Sequence, residues 1–356
     1  MRVVILAGGV GSRFWPASTA ARPKQLLPLA GDLPLVRETR DRLEGLVGPE
    51  RIHLLAGREL GRRLLEALPD LDPGNLLAEP AARGTGPVLA WASHEIARRD
   101  PDAVLVSLHA DHVIEPADVF REQLARVAEL ARAHRRLFTI GAPPDRPETG
   151  YGYLRVGDPL AGEDDAFDVE RFVEKPDIET AERYLADGSY LWNTGIFVWP
   201  VSLFLDEVRA HTPEIAPHLG LLDAGDAEAF FGAVEPVSVD VGVLERSERV
   251  AVAPARFAWD DVGSWEALAR TREPDRRGNV AVGSAHLADS AGCVAWAEEG
   301  SIVAWGVRDL VIVHRRGVTL VMPRDRAADL KVLLADLPAE IADAPEDGEG
   351  SGGTHG

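Results

Sequence analysis

Short apolar runs alternate along the first half of the chain with longer stretches in which apolar positions recur at helical spacing. Val3–Leu6, Ile52–Leu55, Asn75–Ala78, Ala103–Leu108 and Leu137–Ile140 are mainly apolar on successive positions, which predicts strands buried on both faces. Between them, Leu33–Val47 (apolar at 36, 43, 46 and 47), Leu60–Leu68, Thr85–Arg99 and Pro116–His134 carry a helical period. This alternation predicts an α/β fold with a Rossmann-like, mostly parallel mixed sheet and helices on both faces. From Thr149 the pattern turns β-rich and glycine-rich, with Tyr151–Val156 and Val169–Val173 extended, and Val250–Ala253 reads as a further strand. Beyond Asp275 come the brief runs Asn279–Val282, Cys293–Trp296, Ser301–Trp305 and Leu310–Val313, evenly spaced and separated by glycine, which predicts a small β-solenoid. The expected organisation is a domain over 1–274 with an insertion over 149–200 that closes on a ligand, and a small C-terminal domain over 275–337. An acidic, glycine-rich tail over 338–356 (Glu346–Ser351) is expected to be disordered.

The stretch after the first strand, Leu6-Ala7-Gly8-Gly9 through Gly11-Ser12-Arg13 to Lys24, sits where open α/β sheets take their ligands. Gly8, Gly9 and Gly11 present bare N–H groups, and Arg13 and Lys24 add a guanidinium and an ammonium, a set that suits a chain of phosphates. Glycine after a strand is also an ordinary turn. It is not a dinucleotide fingerprint, because Phe14 stands where a third glycine would be needed, and no GxxxxGK[ST] string is present. Only three of the 38 basic residues are lysine, namely Lys24, Lys175 and Lys331. Two of these lie in the strings PKQ and EKP, where a compact ammonium does what a planar fork cannot. Glu79-Pro80 follows the third strand and Asp111 the fourth, so both fall on the same sheet edge as the glycines. Thr85 is placed to cap the next helix. Asp111 suits either a hard cation or a helix cap, while His109 and His112 beside it lack a fourth ligand at any usual zinc spacing.

At 356 residues and 46% apolar content the chain has ample material for a buried core. A formal charge of −20 argues against nucleic acid or an anionic membrane as partner, so a polyanionic ligand needs a local positive island. No run of eighteen apolar residues and no leader with a cleavage site is present, and there is one cysteine, Cys293. These features point to a soluble protein of the cytoplasm.

The string GGVGSRFWP…RPKQ resembles the signature of the sugar-nucleotide pyrophosphorylases and is most similar to that of their mannose-1-phosphate guanylyltransferase branch. EPAARGTGP, HADH, TGYGY, RFVEKP, LWNTGIF and WDDVGSW follow in that family's order over nearly the whole chain. The resemblance implies joining of GTP and mannose 1-phosphate to GDP-mannose and pyrophosphate, by in-line attack on the α-phosphorus without a covalent protein intermediate. It implies Arg13, Lys24 and Lys175 as catalytic cations. Leu6, Ala7, Gly8, Gly9, Gly11, Ser12, Glu79, Pro80, Arg83 and Thr85 fall on its nucleotide side, and Gly150, Tyr151, Gly152, Glu174, Lys175, Asn193 and Thr194 on its sugar-phosphate side. Asp111 and Asp261 match its Mg2+ ligands, Asp261 rather than Asp260 being the aspartate before Val-Gly. A short left-handed β-helix used for homodimer contacts, closed by a helix over 324–337, is also implied. The chain departs from the pattern at Arg83-Gly84-Thr85-Gly86, where the family usually has Arg-Asn-Thr-Ala, and at His109, where it more often has proline. Transfer of another nucleotide, thymidylyl or uridylyl, to glucose 1-phosphate is the alternative chemistry. A non-catalytic sensor of sugar nucleotides is the alternative of another class.

Overall fold

The computed structural model describes residues 1–9 and 11–342; the acidic tail from residue 343 lies outside the described residues. Among the described residues fifteen strands occur in chain order. They are β1 (Arg2–Leu6), β2 (Ile52–Gly57), β3 (Leu76–Glu79), β4 (Val104–His109), β5 (Val113–Glu115), β6 (Leu137–Ala142), β7 (Tyr153–Pro159), β8 (Phe167–Val173), β9 (Tyr190–Pro200), β10 (Val250–Pro254), β11 (Ala258–Asp260), β12 (Val280–Ala288), β13 (Val294–Trp305), β14 (Leu310–Arg315) and β15 (Val318–Pro323). The larger helices are α1 (Leu35–Asp41), α2 (Arg58–Glu66), α3 (Thr85–Ala97), α4 (Ala117–His134), α5 (Ile178–Asp187) and α6 (Val201–His211). By internal contacts the chain divides into two compact units, 1–8 with 36–259, and 9–35 with 260 onward.

The first unit holds a nine-stranded mixed sheet in the order β3-β2-β1-β4-β9-β6-β10-β8-β7. β1 pairs in parallel with β2 and β4, β2 with β3, and β6 with β10. The parallel β1–β4 half matches the alternating apolar pattern, and strands such as Val3–Leu6 are buried throughout because helices cover both faces. The sheet centre differs from the expectation of a mostly parallel arrangement. β9 runs antiparallel between β4 and β6 and also pairs with β7. Its sequence, with Asn193-Thr194-Gly195 in the middle, carries a turn signal that strand pairing overrides; Gly195 takes φ +71° where β6 and β9 slip register.

The segment after β9 supplies one wall of the core. Trp199 and Phe204 stack with centroids 4.1 Å apart, and Phe230 and Phe231 join them with Trp91 of α3. α1 is shorter than the expected 33–47 helix: it ends at Asp41, and the chain continues in tight turns in which Leu43, Glu44 and Leu46 bond three residues back, with Gly45 at φ +84°. Thr85 is the first residue of α3 rather than its cap. Gly84 occupies the cap at φ 84°, ψ 173°, a conformation glycine alone adopts without strain.

The second unit contains a four-stranded sheet, β12-β13-β14-β15, in which the first three strands are mutually parallel and β15 is antiparallel. Two of the predicted short runs, Cys293–Trp296 and Ser301–Trp305, merge into the single strand β13. The expected terminal helix begins as a 3-10 segment over Arg324–Asp329 and becomes α-helical over Leu330–Asp336.

Candidate active site

In the first unit the parallel strands bring their carboxyl ends to one edge. Leu6 is level with Leu55 and with His109, and Gly57 with Glu79. Ala110 N donates to Leu6 O at 2.9 Å and Ala7 N to Leu55 O at 2.9 Å, so Leu6, Ala7 and Gly8 lie beside the His109–His112 turn. Asp111 is half-buried there, and one donor atom from each of His109, Asp111 and His112 lies within 4.8 Å of the others. Among the described residues no fourth His, Cys, Asp or Glu joins this group. Burial alone raises the Glu79 carboxyl above its usual range.

The Arg83–Gly86 turn is built against residues 237–239. Gly86 N donates to Val237 O (3.0 Å), Val237 N to Arg83 O (3.1 Å), and Thr85 Oγ1 accepts from Val239 N (2.9 Å). A Cβ on Gly84 or Gly86 would stand 2.6 or 2.9 Å from the Val237 carbonyl oxygen. The two glycines that depart from the family string are therefore what this close main-chain packing requires. Arg83 Nε is committed to Phe231 O at 2.8 Å.

The residues expected on the sugar-phosphate side converge through main-chain and side-chain bonds. Lys175 N donates to Tyr151 O (3.2 Å) and Asn193 N to Gly152 O (2.8 Å). A Cβ on Gly152 would meet Glu174 Oε2 at 2.7 Å, so glycine there admits the carboxylate. Glu174 pairs with the exposed Lys175 ammonium, and Lys175 itself holds φ +47° immediately before Pro176, a strained position for a side chain-bearing residue. Strain of this kind clusters at ligand sites. Gly150 N donates to Glu148 Oε1 (3.0 Å). Tyr151 is buried edge-on to Trp192 and Trp259, both at 5.2 Å, with the Arg146 guanidinium over the Tyr151 and Trp192 rings. Thr194 is set apart, because its buried hydroxyl donates to Ile140 O at 2.7 Å.

One residue of this cluster was not legible in the sequence. Asp240 opens a π-helical turn over Asp240–Leu244, and its Oδ1 accepts from Asn193 Nδ2 at 2.9 Å. Asn193 Oδ1 in turn accepts from Thr139 Oγ1 at 2.8 Å. Desolvation, and then the negative charge of Glu174, raise the Asp240 carboxyl to about 6, with Lys175 and Asn193 acting in the opposite sense. Its flanking valines read as a strand, and no local signal marks a half-buried carboxylate.

The second unit gathers the rest of the glycine loop. Gly9 and Gly11 take φ +87° and +71°, and Ser12–Phe14 form one 3-10 turn that leaves Arg13 exposed. Lys24 is only 6% exposed; its ammonium donates to the main-chain carbonyl of Asp261 at 2.8 Å and lies 5.7 Å from the Phe14 ring centroid. A Cβ on Gly11 would fall 2.3 Å from Lys24 Cβ, so the glycine lets the lysine stem cross the loop. Gln25 Nε2 donates to Gly9 O at 3.2 Å. Asp260 accepts from Val262 N (2.7 Å) and from Arg270 Nε (2.7 Å), whereas the Asp261 carboxylate folds over Gly263, where a Cβ would stand 3.0 Å from Oδ2. Lys24, Gly11 and Asp261 thus meet in one place, and Asp260 is held by Arg270.

A glycine loop after the first strand, with a buried lysine and a set of carboxylates, is the apparatus of a nucleotidyl transferase. The chain belongs to that family, whose profile matches residues 2–277. The mannose-1-phosphate guanylyltransferase of Escherichia coli K12 is 36% identical over 359 residues, covering 95% of this chain and 73% of the relative. The alginate biosynthesis protein AlgA of Pseudomonas aeruginosa is 35% identical over 349 residues, covering 95% and 72%. A solved structure from Thermus thermophilus, described as a mannose-1-phosphate geranyltransferase, superposes at a TM-score of 0.87 with 35% identity, covering 94% of this chain and 98% of its own. Within the nucleotidyl transferases the chain is a member of the mannose-1-phosphate guanylyltransferase group.

The buried Lys24 ammonium makes a point contact with the Asp261 carbonyl beside the Phe14 ring, which a larger planar guanidinium does not reproduce. Lys24→Arg is expected to lose on the order of tenfold or more in kcat/KM, while Lys331→Arg, on an exposed helix, changes nothing measurable. Steady-state kinetics with melting temperatures of both variants check this.

Asp240 gives a second expectation. Its acid range rises from the ordinary 3.8 to about 6, so across that window the folded chain keeps a proton that the unfolded chain has released. Folding therefore loses stability as pH climbs from about 4 to about 6, and the loss is complete above that. Asp240→Asn removes this penalty, so its melting temperature relative to the wild type should be higher at pH 7.5 than at pH 5. Because Asp240 is partly exposed, the change is on the order of a degree.

Proposed function

We propose that this chain joins GTP and α-D-mannose 1-phosphate to give GDP-mannose and pyrophosphate. The observation that carries the reading is the meeting of Gly11, the buried Lys24 and Asp261, within a chain whose relatives carry that name over almost its whole length. A sugar-phosphate oxygen attacks the α-phosphorus of the nucleotide in line; one P–O bond forms, the bond to the β-phosphate breaks, and pyrophosphate leaves with its electron pair. The amides of Leu6, Ala7, Gly8, Gly9, Gly11 and Ser12 cradle the phosphates, and Arg13 and Lys24 draw the growing charge toward the departing pyrophosphate. Glu79, Pro80, Arg83 and Thr85 face the base and ribose. Gly150, Tyr151, Gly152, Glu174 and Asn193 hold the hexose, with Lys175 on its phosphate and Thr194 fixing β9 beneath. Asp240 positions Asn193 through its amide nitrogen.

The donor set fits a divalent cation such as Mg2+, because Asp111 and Asp261 each offer a carboxylate in a turn that follows a strand. When bound, that cation supplies charge neutralisation to the two substrates' phosphates. We further propose that residues 1–274 act as the nucleotidyltransferase domain, that 149–200 close over the sugar, and that the parallel β12–β14 coils are a short β-helix. Its outward Val303 and Trp305, 76% and 79% exposed and alternating with buried Ile302 and Ala304, support a homodimer as the working form in the cytoplasm.

The substrate assignment is checked by measuring pyrophosphate release across four nucleoside triphosphates and several sugar 1-phosphates. GTP with mannose 1-phosphate should be the best pair. A pyrimidine triphosphate with glucose 1-phosphate winning by tenfold or more, about 1.4 kcal/mol in the transition state, would overturn it.

A further inference from the structure

The two imidazoles beside Asp111 are not equivalent. The buried His112 lies edge-on to Trp259 at 5.4 Å, and its Nδ1 accepts the indole N–H at 3.2 Å. An indole nitrogen only donates, so Nδ1 is the unprotonated nitrogen of His112 and the neutral ring carries its proton on Nε2. With one lone pair in the indole bond and the other nitrogen protonated, neutral His112 offers no lone pair to a cation while that bond stands.

His109 is placed differently. Its ring stacks on His112 with centroids 4.7 Å apart and planes 29° apart, which sets its orientation. Its Nε2 edge faces β9 at Gly195, where a Cβ would stand 2.8 Å away; the glycine makes room for an imidazole at 109. One donor atom of His109 is within 4.8 Å of a carboxylate oxygen of Asp111. Two ligands at about 2.1 Å from one ion are at most about 4.2 Å apart, so this bound is close to what a shared cation requires.

We propose that His109 is a nitrogen ligand of the cation held at Asp111, so that this site selects a borderline first-row ion such as Co2+ over Mg2+, with His112 and Trp259 orienting the His109 ring. The inference rests on the reading that Asp111 binds the cation. Mg2+ takes oxygen ligands and keeps its waters, whereas imidazole strengthens binding of Co2+ and ions near it in the series.

The test uses the full chain, stripped by chelation and free of substrates, titrated calorimetrically with Co2+ alone and then with Mg2+ in competition. The wild type should bind one Co2+ that Asp111→Asn does not, on the order of tenfold or more tighter than Mg2+. His109→Phe and His109→Gln should each lower Co2+ affinity on the order of tenfold while leaving Mg2+ affinity unchanged, and His112→Phe should change the Co2+ to Mg2+ ratio less than either. Melting temperatures accompany every variant, and the two His109 substitutions guard against one of them disturbing the packing at Gly195. If Asp111→Asn removes both ions but neither His109 variant alters their ratio, the nitrogen ligand is refuted and the Asp111 reading stands. If the wild type takes up Mg2+ but no Co2+, the nitrogen ligand is refuted and the Asp111 reading stands; if Asp111→Asn leaves both ions bound, the cation site itself is not at Asp111 and the inference falls with it.

Discussion

The bond from the Lys24 ammonium to the carbonyl of Asp261 is the constraint on which the placing of the glycine loop depends. An ammonium taken out of water is costly unless its donors are satisfied, and here a carbonyl and the face of Phe14 stand in for solvent. The lysine reaches them only because Gly11 has no side chain in its way. The bond to the Asp261 main chain fixes where that residue sits. The carboxylate of Asp260 next door accepts from Arg270 and from the amide of Val262.

The cluster proposed to hold the hexose is organised around acid rather than base. The negative charge of Glu174 adds to the cost of charging the buried Asp240, and Lys175 and the Asn193 amide offset part of it. Such a cluster donates and accepts hydrogen bonds in several directions, as a polyhydroxylated ligand demands. It is held by long-range pairings, with Gly152 on the approach to β7, Asn193 on β9 and Asp240 on a π-turn.

Much of this was legible in the sequence because it is local. Buried parallel strands announce themselves as continuous apolar runs, and a loop after such a strand has only one edge to occupy, which is why the end of β1, Glu79 and Asp111 could be placed on one edge. Scarcity of lysine pointed to Lys24. What failed was whatever depends on distant partners. Asn-Thr-Gly in β9 reads as a turn until two neighbouring strands pair with it, and Thr85 reads as a cap until Val239 takes its hydroxyl oxygen. Asp240 is a surface-type residue among valines until Asn193 and Glu174 are folded around it.

The grouping of residues 9–35 with the chain from 260 onward bears on how the protein is made. Lys24 and Asp261 are 237 residues apart, and Trp265 and Arg315 likewise bond the carbonyls of Trp15, Pro16 and Ala17. On a ribosome the N-terminal side emerges first, so β1 can pair with β2 and β4 long before Asp261, Trp265 and Arg315 exist. The glycine loop must wait for these three through most of translation. A chain stalled before residue 260 would carry all nine strands of the sheet and lack the Asp261, Trp265 and Arg315 anchors of its glycine loop.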